Sequence, residues 1–231
     1  MAATQPPTFI RDRPVADSPG VDAPALHRRA MDNLEFIRDT MARAATVTAV
    51  SGWGIAAAGT VGLGAAALAA RTHDGAGWTA VWLGAATLAL PLSAGASLLK
   101  ARRTARARGT PVFTASGRRL LLSFLPPFTV AALLTVPLAH AGLYALLPTL
   151  WLLSYGAGIA TGGAFSVRPV PVMGLTFLAL GALALCGDLL GPRISGATLD
   201  LPHAWGNACM GLGFGLVHLG FGAYIARRHG G

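Results

Sequence analysis

Six long runs of the sequence contain no Asp, Glu, Lys or Arg, and these runs most restrict what the chain can fold into. Each is about as long as the roughly 20 residues that an α-helix needs to cross the hydrocarbon core of a bilayer. In lipid only helices and closed barrels satisfy their backbone hydrogen bonds, and the runs lack the alternation typical of barrel strands. The sequence therefore predicts six transmembrane helices, at Ala44–Ala70, Gly75–Leu99, Leu120–Ala139, Ala141–Val167, Pro169–Gly187 and Ala204–Ala226.

The composition also indicates a membrane protein. Only 12% of the residues are charged and 53% are hydrophobic, whereas a soluble domain usually carries about 25% charged residues. We predict an all-α, polytopic membrane helix bundle with three parts: a disordered cytoplasmic tail at 1–23, an amphipathic interfacial helix at 24–43 and a six-helix transmembrane domain at 44–231.

The stretch before the first span has the pattern of an amphipathic helix. Its apolar residues recur at helical spacing, and charged residues of both signs occupy the opposite side. Two interpretations remain open, a helix that lies at the membrane surface and a docking surface for a cytosolic protein partner. The apolar side is formed by Ala30, Leu34, Ile37, Met41 and Ala44.

Lysine and arginine are distributed unevenly between the ends of the predicted spans. One side of the membrane would hold only Arg71 and Arg193. Because positive charge stays in the cytoplasm during insertion, we predict a multi-pass protein of the bacterial inner membrane with both termini cytoplasmic. A basic run between the second and third spans is expected to contact anionic lipid headgroups rather than nucleic acid, since it lacks a nucleic-acid-binding module. Its cations are Lys100, Arg102, Arg103, Arg106, Arg108, Arg118 and Arg119.

Small residues and prolines are frequent in the spans. Glycine pairs at GxxxG spacing let helix backbones approach closely, and we predict helix packing at Gly158, Gly162, Gly211, Gly215 and Gly222. Prolines in the second, third and fourth spans are expected to kink those helices. Such kinks occur in transporters, although membrane helices also tolerate proline without any function.

His218 is the one histidine that lies within a predicted span, and it is our candidate intramembrane polar site. At α-helical spacing it shares a face with Gly211, Gly215 and Gly222, so it is expected to point into the bundle. It has two interpretations. The first is a neutral residue hydrogen-bonded to a Ser, Thr or carbonyl of a neighbouring helix, and the second is a ligand-binding or proton-handling group.

Other chemistry has little support in the sequence. The remaining histidines lie at span ends or in loops, which argues against a bis-histidine haem, and Cys186 and Cys209 form no zinc motif. Rhomboid proteases carry a histidine on the sixth span, as here, but the segment around Ser154 lacks their G-x-S-G sequence. We therefore predict no catalytic residue, no metal site and no cofactor, and the sequence favours a non-enzymatic protein.

Three segments resemble an uncharacterised family of bacterial six-span membrane proteins found in soil phyla such as Acidobacteria. They are "MDNLEFIRDTMARAATVTAVSGWG", "GGAFSVRPVPVMGL" and "GFGLVHLGFGAYIARRHGG", and the resemblance covers Ala25–Gly231. Genes of the family often neighbour a small winged-helix regulator, which implies a role in regulation or signalling. The resemblance assigns no role to any single residue.

Two hypotheses for the function follow. The chain is either a protein that senses, docks or scaffolds through its amphipathic helix and basic run, or a small permease or channel that uses the proline-containing third span and His218. A polar, water-accessible pocket beside His218 would favour transport, whereas a dry and filled bundle would favour sensing.

Overall fold

The computed structural model of the protein describes residues 23–44, 50–109, 112, 115–164, 166–195 and 201–229. Every regular element within these residues is helical. The helices are α1 (Ala23–Ala44), α2 (Gly52–Ala69), α3 (Gly75–Arg108), α4 (Ala115–His140), α5 (Leu146–Gly163), α6 (Pro169–Ser195), α7 (Leu201–Met210), a π-helical segment (Gly211–Val217) and α8 (His218–His229).

The chain divides into two compact units, Met1–Ala45 and Thr46–Gly231. In the first unit, α1 occupies the positions where the sequence predicts the interfacial helix, and its Leu34 and Ile37 side chains are exposed. Whether α1 lies on a membrane stays a prediction. The predicted disordered tail lies outside the described residues, except for Ala23, where α1 begins.

Five helical stretches are long and apolar enough to cross a membrane, which indicates a multi-pass membrane protein. They are Gly52–Ala69, Gly75–Ala107, Leu121–His140, Pro169–Leu190 and Ala204–Arg228. We call the last of these, which includes parts of α7 and α8 and the π-helical segment, the last span. The remaining predicted span contains α5, which is 18 residues long and is not among the five.

The composition of α5 explains this difference. It contains Pro148, Thr149, Ser154, Tyr155 and several glycines, which reduce its average hydropathy. It packs between α4 and α6, and half of its residues are buried. A helix enclosed in this way does not need the apolar outer surface of a lipid-facing span.

In the second unit, two neighbouring helices are separated by a gap. Helix α2 packs against α3 and the last span, and α5 packs against α4 and α6. In contrast, α3 and α4 make little direct contact with each other. The opening between α3 and α4 leads towards the side chains at the centre of the bundle.

Helix α3 extends well beyond the end of its predicted span. Its first turn is capped by the Asp74 carboxylate, which accepts a hydrogen bond from the Gly77 N–H at 2.7 Å. It ends only after Arg108, where Gly109 adopts a φ of 63°, a left-handed conformation that glycine adopts without strain. Part of the basic run therefore belongs to a continuous helix of 34 residues.

The prolines of the third span do not interrupt its helix. α4 runs continuously from Ala115 to His140 with Pro126, Pro127 and Pro137 inside it. The sequence interpretation of this span as a broken helix suited to transport therefore has no unwound segment to support it among the described residues of α4.

Candidate functional site

The side chain of His218 is buried and both of its ring nitrogens have a partner. It is 4% exposed, Nε2 lies 2.6 Å from the Tyr155 hydroxyl and Nδ1 lies 3.2 Å from the Gly213 carbonyl oxygen. A carbonyl oxygen only accepts, so in a neutral ring Nδ1 carries the hydrogen and Nε2 accepts from the Tyr155 hydroxyl. We assign this tautomer from the hydrogen bonds, and it leaves neither nitrogen free to bind a metal or a solute.

The π-helical segment makes the Gly213 carbonyl available to the ring. The backbone N–H of His218 also bonds to this carbonyl, five residues earlier in the chain, as in a π-helix. A π turn holds more residues than an α turn, so the predicted α-helical spacing does not hold across Gly211–Val217. Consequently His218 does not share the packing face of the glycines, because its ring points to α5 and α6 while the glycines lie against α2.

Four of the five predicted packing glycines have close neighbours in the structure. A Cβ atom added at Gly222 would lie 2.5 Å from the Ala56 nitrogen, and one at Gly211 would lie 3.0 Å from the Ala66 Cβ. Gly215 lies against Leu63, and Gly158 lies against aromatic side chains of α4. The fifth, Gly162, is buried in α5.

Several glycines outside the five selected positions also approach neighbouring helices closely, and two of them lie in α2 and α5. Gly62 of α2 lies directly against the Phe214 backbone, and a Cβ added at Gly156 of α5 would lie 2.7 Å from the Leu178 nitrogen of α6. Neither glycine belongs to a GxxxG pair that we selected, and the large number of glycines in this chain makes single pairs poorly informative.

Aromatic rings surround His218. Phe214 stacks on its imidazole at a centroid distance of 5.7 Å and an interplanar angle of 17°, and Phe177 meets its edge at 5.1 Å. Tyr155 contacts both phenylalanines, at 5.0 Å from Phe214 and 4.6 Å from Phe177. Such ring pairs add to the stability that burial alone provides. Tyr155 was not predicted as the partner, since a Ser, Thr or carbonyl of a neighbouring helix was expected.

Asn207 forms a second buried polar centre. Its side-chain oxygen accepts hydrogen bonds from the indole nitrogens of both Trp78 and Trp82, each at 3.1 Å, and its amide donates to the Ala66 carbonyl at 2.9 Å. One side chain thereby links the last span to α3 and α2. A usable signal was present in the sequence, since Asn207 is the one asparagine of the predicted spans and the two indoles lie one turn apart.

A cavity of about 510 Å³ lies between α2, α3, α4, α5 and the last span. His218 and Tyr155 line it, together with aromatic, aliphatic and small side chains. Its other polar lining residues, besides the indoles, are Ser93, Thr135 and Ser154. The Thr135 hydroxyl already accepts from the Trp151 indole at 2.9 Å and donates to the Ala131 carbonyl. No charged side chain lines this cavity among the described residues.

The predicted headgroup-binding cations lie mainly at exposed positions. Arg102, Arg103 and Arg106 are exposed on the extension of α3, and Arg118 and Arg119 are exposed at the start of α4. Lys100 differs, because its ammonium donates to the Val50 carbonyl at 3.3 Å. Of Arg108 the structure describes only the backbone.

The described residues contain no group of three or more His, Cys, Asp or Glu side chains that could hold a metal ion. No family model, curated protein or solved structure matches the chain. The resemblance to the six-span family therefore remains a prediction.

Proposed function

We propose that this chain is a non-enzymatic sensor of the bacterial inner membrane that binds a lipophilic molecule inside its helix bundle. The observation that carries the proposal is the cavity beside His218, whose lining is almost entirely apolar. Its volume falls within the range of about 300–1,000 Å³ typical of ligand pockets, and such pockets combine apolar walls with a few polar groups.

The apolar lining of the cavity supports sensing over transport, although the bundle is not filled as we expected for a sensor. A pathway for ions or polar solutes needs polar or charged groups at membrane depth. Here the imidazole of His218 and the hydroxyl of Tyr155 bond to each other, no charged side chain lines the cavity among the described residues, and most of the remaining lining is apolar. The permease hypothesis loses support for this reason, and also because α4 continues through its prolines.

The membrane topology in this proposal is taken from the sequence. We place six spans in the membrane, with α5 as the fourth, and both termini in the cytoplasm, because the basic residues cluster at one set of helix ends. The exposed arginines of α3 and α4 would contact anionic headgroups on that side. The α1 helix would lie at the membrane surface or dock a protein partner that receives the signal.

Binding of a fluorescent lipophile tests the proposal. Purified protein in detergent should enhance the emission of 1-aminoanthracene saturably, and Ala89→Phe, which places a phenyl ring inside the cavity, should weaken this binding. Ala80→Phe is the matched control, because Ala80 is exposed on the same helix and does not line the cavity. Equal binding by both variants would reject the cavity as the binding site, and protein-dependent ion flux into liposomes would favour the permease instead.

A further inference from the structure

Two serine hydroxyls in the cavity are not used by the fold. Eight other hydroxyls on the described helices donate to a carbonyl three or four residues earlier, namely those of Thr60, Thr79, Thr87, Ser123, Thr129, Thr135, Thr161 and Thr176. Ser93 of α3 and Ser154 of α5 make no such bond, nor any other hydrogen bond within the described part of the chain. Both line the cavity, so two hydrogen-bond donors are available there.

The walls of the cavity favour a flat molecule. Rings of Trp82, Phe128, Trp151, Tyr155 and Phe214 line it. Aromatic side chains pack well against other planar rings, in stacked or edge-to-face arrangements. Alanines of α3 and α4 line it as well, and their small side chains leave the space open between these two helices.

The cavity reaches the outer surface of the bundle between α3 and α4. Its lining includes Leu83 and Leu90 of α3 and Val136 of α4, which are exposed by 46%, 55% and 70%. All three lie within helical stretches apolar enough to span a bilayer, so their exposed surfaces would face lipid. A ligand dissolved in the bilayer could therefore enter between α3 and α4.

We propose that the cavity binds a quinone, an uncharged planar ring that carries carbonyl oxygens and an apolar tail. This inference rests on the proposed function, and it specifies the chemical class of the ligand. The carbonyl oxygens accept hydrogen bonds from Ser93 and Ser154, and the ring packs against the aromatic side chains. The tail leaves between α3 and α4 into the bilayer. An anionic lipid headgroup would not be held, because no described cation lines the cavity.

The shift in thermal unfolding temperature on ligand addition tests the inference. Two ligands of similar shape are compared, a decyl-substituted benzoquinone and decylbenzene, which has no oxygen. A ligand that binds only the folded protein raises the unfolding temperature. We expect the quinone to bind about tenfold or more tightly than decylbenzene, because two hydrogen bonds of about 1 kcal/mol each distinguish them.

Serine-to-alanine variants identify the groups responsible. Ser93→Ala and Ser154→Ala should each weaken quinone binding about fivefold and leave decylbenzene binding unchanged. Ser123→Ala is the matched control, because the Ser123 hydroxyl donates to the Arg119 carbonyl and does not line the cavity. These changes remove one oxygen atom and keep the side-chain volume small, so the variants are expected to fold.

The outcomes separate the two proposals. Equal binding of both ligands with no effect of the serine variants would overturn the quinone inference and leave an apolar binding protein. Tighter binding of a sterol-like alcohol than of the quinone would also overturn it. If no lipophile raises the unfolding temperature of the native protein more than that of the Ala89→Phe variant, the proposed function is rejected as well.

Discussion

The Tyr155 hydroxyl and the His218 imidazole are each other's only polar side-chain partner in the described part of the chain, at 2.6 Å. The pair connects α5 to the last span between the helices that enclose the cavity. Each group is satisfied because the other is present. Removing either one would leave a buried polar atom without a partner.

Mutation of this pair should therefore show strong coupling. Tyr155→Phe removes only the hydroxyl, and we expect it to lower the free energy of unfolding by about 0.6–1.7 kcal/mol, from the average to the maximum for polar pairs between membrane helices. Once His218→Leu is present, adding Tyr155→Phe should cost almost nothing. Thermal or denaturant unfolding in detergent measures the cycle, and purely additive losses would show that the two side chains do not interact.

The contact of Gly62 with the Phe214 backbone predicts a position-specific effect of one methyl group. Gly62→Ala should destabilise the protein by about 1–3 kcal/mol, because the new Cβ meets backbone atoms and the helices would have to separate. Gly64→Ala, two residues along the same helix, meets nothing within 4 Å and should be neutral or slightly stabilising. Unfolding temperatures of the two variants give the comparison, and equal losses at both positions would contradict this packing.

Substitution of Asn207 should destabilise the protein more than is usual for an uncharged residue. Asn207→Leu leaves the Trp78 and Trp82 indoles without their acceptor, and each buried unpaired group costs about 1–3 kcal/mol. We expect a loss of at least about 2 kcal/mol, together with a shift in tryptophan emission. Asn33→Leu on exposed α1 is the control and should be close to neutral. A small effect of Asn207→Leu with unchanged emission would argue against the shared hydrogen bond.

Reporter fusions test whether α5 crosses the membrane. A reporter active only in the cytoplasm should work after Arg108, Arg168 and Arg228, and it should fail after Gly142, which lies between α4 and α5. The basic residues near Arg108 and Arg228 set this orientation. The same activity after Gly142 and Arg168 would place both on one side of the membrane and reduce the spans to five.

Much of the architecture could be predicted from the sequence because it depends on local composition. Uncharged stretches of membrane length mark α2, α3, α4, α6 and the last span, and all five correspond to helices. The predicted end of α3 was less accurate. The first charged residue marks the end of an apolar surface, but the helix continues beyond it. Gly109, with its left-handed conformation, ends this helix nine residues after Lys100.

The site could be predicted only in part, because its geometry depends on contacts between distant segments. His218 was identifiable as an ionisable group in an apolar run, but its partner Tyr155 lies 63 residues away. The register of the last span also changes within a π-helical segment that no periodicity reveals. The cavity arises from the separation of α3 and α4, a feature of tertiary packing that no single segment encodes.

Because α3 is one continuous helix, movement at one part of it also moves its ends. Its 34 residues correspond to a rod of about 50 Å, longer than the hydrocarbon layer of about 30 Å. The same rod forms a wall of the cavity at Ala89 and Ser93 and carries Arg102, Arg103 and Arg106 near its far end. A tilt of about 5° around the bilayer centre would move that end sideways by about 3 Å. A tilt of α3 away from α4 would thus widen the gap between the two helices and displace these positive charges.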